Sequence, residues 1–138
     1  MTDPNDWNAS VIEEFRANEG RVGGPFEGAP LLLLSTTGAR SGTTRVNPLM
    51  YLPDGDRLVV FASKGGAPTD PDWYRNLVVN PDASVEVGTE RFPVRATVAA
   101  GEERDRLFAE QAERYPQFGD YASNTERTIP VLILERAG

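Results

Sequence analysis

Apolar residues in this chain come in short runs broken by turn residues. Residues 31–34 are four leucines, 57–63 carry Leu58, Val59, Val60 and Phe61, and the closing stretch 128–137 carries Val131, Leu132, Ile133 and Leu134. Runs of this length bounded by Gly, Pro and Asp read as buried strands. Residues 46–52 read as the hairpin partner of 31–34, and the turn Pro53-Asp54-Gly55-Asp56 leads into 57–63. Residues 83–88 and 91–100 form a second predicted hairpin.

Three stretches carry helical spacing instead. Val11, Ile12 and Phe15 share a helix face, and Ser10 stands three residues before Glu13 in a capping-box pattern, which predicts a short helix ending near Gly20. Asp70-Pro71 predicts a second helix start with an acidic cap and a proline in the first turn, ended by Pro81. Leu107, Phe108, Gln111, Ala112 and Tyr115 line one face of a third helix over 102–115.

The predicted order is helix, three strands, helix, two strands, helix, strand. Six short strands with helical connections fit a mainly β (α+β) fold, a small antiparallel barrel with helices packed on its outside. At 138 residues the chain is expected to be one domain, 1–138, with an N-terminal helix over 1–20 and a Gly-rich link over 21–30.

Composition then narrows the chemistry. With no histidine and no cysteine, the chain offers no disulfide, no thiolate nucleophile, no Ser-His or Cys-His relay and none of the usual zinc ligands; no metal site is expected. A net charge of -7 argues against nucleic-acid binding, which needs a basic face. No apolar run approaches the ~20 residues that cross a bilayer, and the acidic first helix suits no anionic lipid surface, so a cytoplasmic protein without membrane association is expected.

Three stretches concentrate candidate chemistry. Between the first two strands, Gly38 and Gly42 let backbone amides approach a ligand, while Arg40, Ser41, Thr43, Thr44 and Arg45 supply donors suited to a phosphate or carboxylate. The same residues also describe an exposed hairpin turn, slightly the better reading of the loop alone. Next, Lys64, the only lysine among 14 basic residues, sits between Ser63 and Gly65-Gly66 at a strand end. It suits a ring carbonyl or phosphate about as well as it suits a plain glycine turn. In the helix that follows, Trp73 reads as core with Leu77, and Asn76 reads equally as a site residue or a helix cap. Finally, Tyr115, Phe118 and Tyr121, spaced three apart, could form an aromatic wall, although such spacing is more often ordinary core.

Taken together and in this order, these stretches resemble the deazaflavin-dependent nitroreductase family of actinobacteria, split β-barrel proteins that use the 8-hydroxy-5-deazaflavin coenzyme F420. The matching positions are Thr36, Thr37, Gly38, Ala39, Arg40, Ser41, Gly42, Arg45, Asn47, Pro48, Leu49 and Tyr51. They continue through Ala62, Ser63, Lys64, Gly65, Gly66, Trp73, Tyr74 and Asn76, then Tyr115-Pro116, Asp120-Tyr121 and 127–130. The match runs from about Leu31 to the last strand.

The resemblance implies a split β-barrel oxidoreductase in which reduced F420 delivers hydride to a planar conjugated acceptor: a quinone, an enone or a nitroaromatic. It implies that Arg40, Ser41, Gly42, Arg45, Asn47, Pro48, Met50, Ala62, Ser63, Lys64, Gly65, Trp73 and Asn76 hold the coenzyme. Tyr51, Tyr115, Phe118 and Tyr121 would face the acceptor, and Ser63 and Tyr121 are the candidate donors to the developing anion. Split barrels are frequently dimers, so a homodimer is implied as well. Two positions depart from the family pattern: Ala39 where a basic residue is common, and Phe118 where the nitroreductases have tyrosine. Two other readings stay open, a carrier that binds F420 without turnover and an FMN-binding split-barrel protein.

Overall fold

The computed structural model describes residues 4–20, 22, 31–39, 42–62, 71–123 and 129–137. Seven strands, β1 (Leu31–Thr37), β2 (Thr44–Met50), β3 (Leu52–Asp54), β4 (Arg57–Phe61), β5 (Asp82–Val87), β6 (Glu90–Val98) and β7 (Val131–Arg136), form one sheet in the order β2-β1-β5-β6-β7-β4-β3. Every pairing is antiparallel. The helices are α1 (Pro4–Ala17), α2 (Asp72–Val79), α3 (Gly101–Arg114) and α4 (Gln117–Ser123).

The expected barrel architecture stands, with seven strands in place of six. The single strand expected over 46–52 is two, because the chain changes partner at Tyr51: Met50 pairs with Leu31 on β1, while Leu52 pairs with Val59 on β4. A partner change is a tertiary event that alternation along the sequence does not register. β2 and β3 are thus the two edges of the sheet and one stretch of chain.

That connection curls the sheet. Side chains on one face, Leu32, Leu34, Val60, Val85, Val94, Leu132 and Leu134, gather with Leu49 and Tyr51 into one cluster drawing on six strands, as a concave face does. The opposite face divides into two clusters. Leu31 and Leu33 pack with Val11 and Phe15 of α1, and Val59, Phe61, Val131 and Ile133 pack with Leu107 and Phe108 of α3 and Phe118 of α4. Three helices lie on the outside as expected, whereas α2 sends Trp73 and Leu77 into the concave cluster. Leu31 to Leu34 are all buried because their strand is covered on both faces.

Local expectations fare unevenly. α1 starts at Pro4, so Ser10 and Glu13 lie inside the helix and the apparent capping box caps nothing. The N-cap of α2 is Pro71 itself, without a side-chain hydrogen bond, and Asp70 lies outside the described residues. The aromatic stretch forms a separate helix: Tyr115 is the C-cap of α3, while Phe118 and Tyr121 ride on α4.

Ion pairs fasten the outer helices. Arg57 bonds Asp54 and reaches Glu103 at 3.5 Å, and Arg106 approaches Asp54 at 3.6 Å, tying α3 to the β3–β4 hairpin. Arg104 Nη2 donates to the Ile129 carbonyl at 2.8 Å. At the end of α1, Gly20 takes φ +93°, and a Cβ there would lie 2.7 Å from the Gly88 Cα, so only glycine lets the helix end approach the β5–β6 turn.

Arg16 clips α1 to β5 through two bonds, Nε to Glu86 Oε1 at 3.1 Å and Nη2 to Oε2 at 2.8 Å. The Arg16 hydrogen bond holds the Glu86 carboxyl below its ordinary value, against desolvation acting the other way. A carboxylate whose folded pKa is lowered adds stability that is present above its unfolded value, about 4.3, and is lost as pH falls through the lowered one. With Arg16 half exposed, Arg16→Ala is expected to cost about 0.5 kcal/mol at pH 7. Urea unfolding at pH 7 and pH 3 checks this: the difference between the two proteins closes at pH 3, and an equal difference at both pH values contradicts it.

Candidate functional site

The β1–β2 connection is a closed hairpin loop. The Gly38 amide donates to the Thr43 carbonyl at 2.8 Å and the Gly42 amide donates to the Gly38 carbonyl at 3.0 Å. Gly42 adopts φ +70° with open space where a Cβ would stand, so backbone conformation alone calls for glycine here.

From α2, the buried Asn76 side chain reaches into this loop. Its Nδ2 donates to Thr36 Oγ1 at 3.1 Å, and its Oδ1 accepts from the Ala39 amide at 3.0 Å. The carboxamide braces the loop, while the Asn76 backbone carbonyl closes the end of α2 by accepting from Asn80. A bond to an amide 37 residues away has no local sequence signature.

Register sorts the remaining candidates. Residues directly opposite in an antiparallel pair share a face, so Arg45 stands with Thr36 and Asn47 with Leu34 on the concave side. Pro48 and Met50 stand with Leu33 and Leu31 on the convex side. Tyr51, Ala62 and Trp73 belong to the concave cluster. Burial raises the Tyr51 phenol above its ordinary value, so it stays a neutral donor throughout the physiological range.

Arg45 is exposed and, among the described residues, has no carboxylate partner. Every other described arginine except Arg91 is paired: Arg16, Arg57, Arg75, Arg95, Arg104, Arg106, Arg114 and Arg136 each lie within 4.0 Å of Asp or Glu. Arg91 lies opposite Glu86 in register. In a chain of net charge -7, Arg45 is thus, with Arg91, one of two described arginines outside any ion pair.

The aromatic candidates sit on the other face. Phe118 is buried, 5.7 Å from Phe61 and 5.3 Å from Tyr121 between ring centroids, in edge-on contacts. Tyr115, Tyr121 and Met50 pack half-buried against the same cluster. The structure thus brings together Arg45, Asn47, Tyr51, Ala62, Trp73 and Asn76 on the concave side, and Met50, Tyr115, Phe118 and Tyr121 on the convex side. Arg40, Ser41, Ser63, Lys64 and Gly65 lie outside the described residues.

An open cavity of about 460 Å³ lies at the far end of the concave face, lined by Asp56, Leu58, Phe92, Leu134 and Arg136, none of them a candidate from the sequence. Gln111, expected on the packed face of the third helix, is fully buried with neither amide atom hydrogen-bonded to the protein. Its signal was a polar residue on the apolar face of α3, one turn beyond Leu107. Among the described residues no helix is long and apolar enough to cross a membrane.

Comparison with known proteins bears on this arrangement. A family described as F420H(2)-dependent quinone reductase matches residues 7–136. An F420H(2)-dependent quinone reductase of Mycobacterium tuberculosis strain H37Rv is 43% identical over 129 residues, covering 88% of this chain and 85% of that protein. A solved structure described as an F420-H2 Dependent Reductase (FDR-A) is 41% identical with a TM-score of 0.71, over 77% of this chain and 94% of its own. Another, described as a domain-swapped dimer, is 36% identical with a TM-score of 0.73, over 96% of this chain and the whole of its own.

The Asn76 brace makes a local prediction. Asn76→Ala removes both bonds and is expected to cost about 1–3 kcal/mol, because it strands the buried Thr36 hydroxyl and frees the Ala39 amide. Hydrogen exchange followed by NMR reads the loop directly. The Ala39 amide exchanges faster in the variant while β5 and β6 amides keep their relative order; an unchanged Ala39 amide contradicts the brace.

Proposed function

The chain belongs to the F420H(2)-dependent quinone reductase family, and we propose that it catalyses F420H2-dependent reduction of a planar conjugated acceptor, a quinone first and activated enones and nitroaromatics by extension. Bound, F420H2 supplies a hydride from ring carbon five. The protein's tasks are then to hold a polyanionic coenzyme, to orient an acceptor against it and to keep water away.

The observation that carries this reading is Arg45, an exposed cation beside a glycine loop with no carboxylate partner among the described residues, where the other described arginines apart from Arg91 are ion-paired. The coenzyme has a phosphodiester and a glutamate tail, and a guanidinium binds such oxyanions through two parallel bonds. The residues present fit that group. Asn76 braces the loop by accepting from the Ala39 amide, Trp73 and Leu77 wall the adjoining concave face, and burial keeps the Tyr51 hydroxyl neutral. Arg40, Ser41, Ser63, Lys64 and Gly65 complete the set in this reading, with Asn47 and Ala62 on the concave side and Pro48 and Met50, whose side chains face the other way, backing the β2 strand.

On the acceptor side the reading assigns Tyr115, Phe118 and Tyr121. Phe118, packed on Phe61, supplies apolar surface where a hydroxyl would otherwise stand, which favours quinones over acceptors that need a third phenolic donor. Tyr121 is the described candidate for delivering the proton that accompanies hydride to a quinone carbonyl. The reading includes a homodimer, supported by the related structure described as a domain-swapped dimer and by the exposed Val78, Val79 and Val98.

Titration of the purified chain with F420, with FMN as control, followed by menadione and F420H2, tests the assignment. Wild type is expected to bind F420 and reduce menadione, and Arg45→Ala is expected to weaken F420 binding roughly tenfold, as the loss of one charge-assisted contact does, with a smaller dependence on salt. F420 binding without turnover of any acceptor would make the chain a carrier, and binding of FMN alone would overturn the coenzyme assignment.

A further inference from the structure

The open cavity of about 460 Å³ at the far end of the concave face has no task in the reductase reading. Its volume falls within the about 300–1,000 Å³ of small-molecule clefts. Three of its five lining residues are apolar: Leu134 is buried, and Leu58 and Phe92 are half-buried members of the concave cluster. Asp56 and Arg136 complete the lining.

Charge at this cavity is unevenly matched. Arg136 is committed, with its guanidinium 4.0 Å from the Phe92 ring centroid and its Nη2 donating to Glu90 Oε2 at 2.9 Å. Asp56 is not. Arg57 and Arg106, which flank the β3–β4 turn, both go to Asp54, and Asp56 has no hydrogen bond or ion pair among the described residues. Asp56 and Glu90 against Arg136 therefore leave one negative charge over.

The uncompensated carboxylate also stands on a fixed base. Asp54 pairs with Arg57, so Gly55 and Asp56 alone make the turn, with Gly55 at φ +60°. Alternation back from Leu58 places Asp56 on the concave side, and β4 is bonded to β7, which carries Leu134 and Arg136. An anion already held beside apolar surface needs little further ordering when a cation arrives.

We propose that this cavity is a binding site for an apolar amine, one ammonium group on a ring or short hydrocarbon body. The ammonium pairs with Asp56 while the body lies against Leu58, Leu134 and Phe92. A carboxylate ligand is disfavoured twice, by repulsion from Asp56 and by the Glu90 that already occupies Arg136. A neutral ligand of the same shape gains the apolar contact without the ion pair. Because the cavity lies at the other end of the face from Arg45, it fills independently of the coenzyme, and it stands whether or not the chain is a reductase.

Titrations of the isotopically labelled chain with 2-phenylethylamine, 2-phenylethanol and phenylacetate, followed through backbone amides by NMR, test this. The amine is expected to give saturable shifts at Asp56, Phe92 and Arg136. The alcohol is expected to bind roughly fivefold more weakly, as loss of one exposed ion pair does, and phenylacetate to leave those amides unmoved. In Asp56→Asn the amine is expected to fall to the affinity of the alcohol. Absence of any saturable shift at the cavity overturns the site. An alcohol or acid that binds wild type as tightly as the amine, or an Asp56→Asn protein that binds the amine as wild type does, overturns the choice of ligand. The three wild-type titrations decide the matter should the variant not fold. With saturating F420 present the amine is expected to bind with unchanged affinity, and displacement by F420 overturns the independence of the two sites.

Discussion

The covalent continuity of the two sheet edges is the constraint on which the other features depend. β2 and β3 are neighbours in sequence and opposite ends of the sheet in space, so the seven strands must curl until the edges meet at Tyr51. Curling gives one face a single shared core and divides the other between helices. One of the two edges, β3, is only three residues long, and the other, β2, carries Pro48, which has no amide to offer a further strand. The hairpin loop at the far end of β2 is then free to specialise, because the strand that carries it is fixed along its whole length by β1.

Electrostatics follow from that arrangement. An acidic chain that paired all its arginines would have nothing to offer a polyanion, and the described ion pairs come close to that state, serving to attach helices and hairpins to the sheet. Arg45 escapes because it stands at the top of an edge strand with Thr36 opposite and no acid across from it. Local positive charge on a negative whole is what the proposed binding of a polyanionic coenzyme draws on.

Much of the fold was legible because strands covered on both faces betray themselves as continuous apolar runs, as in Leu31 to Leu34 and Val131 to Leu134. The switch at Tyr51 was not, since nothing local marks where a strand leaves one partner for another. Ser10 and Glu13 misled because their spacing is equally at home inside a helix. Of the candidate site, the charge and glycine pattern of the β1–β2 loop was visible in the sequence, but the work of Asn76 was hidden, being a side chain from α2 that bonds a distant backbone. Gln111 stands in the sequence as a polar interruption of an apolar helix face, and its full burial is a tertiary fact that the spacing alone does not carry.

The central claim is that the coenzyme is held at the β1–β2 end of the concave face and not in the cavity at its other end. Titrating isotopically labelled protein with oxidised F420 and following backbone amides by NMR tests this most directly. The account predicts that the shifts concentrate at Gly38, Ala39, Gly42, Arg45 and Asn76, with Asp56, Phe92 and Arg136 unmoved. Shifts concentrated at Asp56, Phe92 and Arg136, with the loop silent, would contradict it.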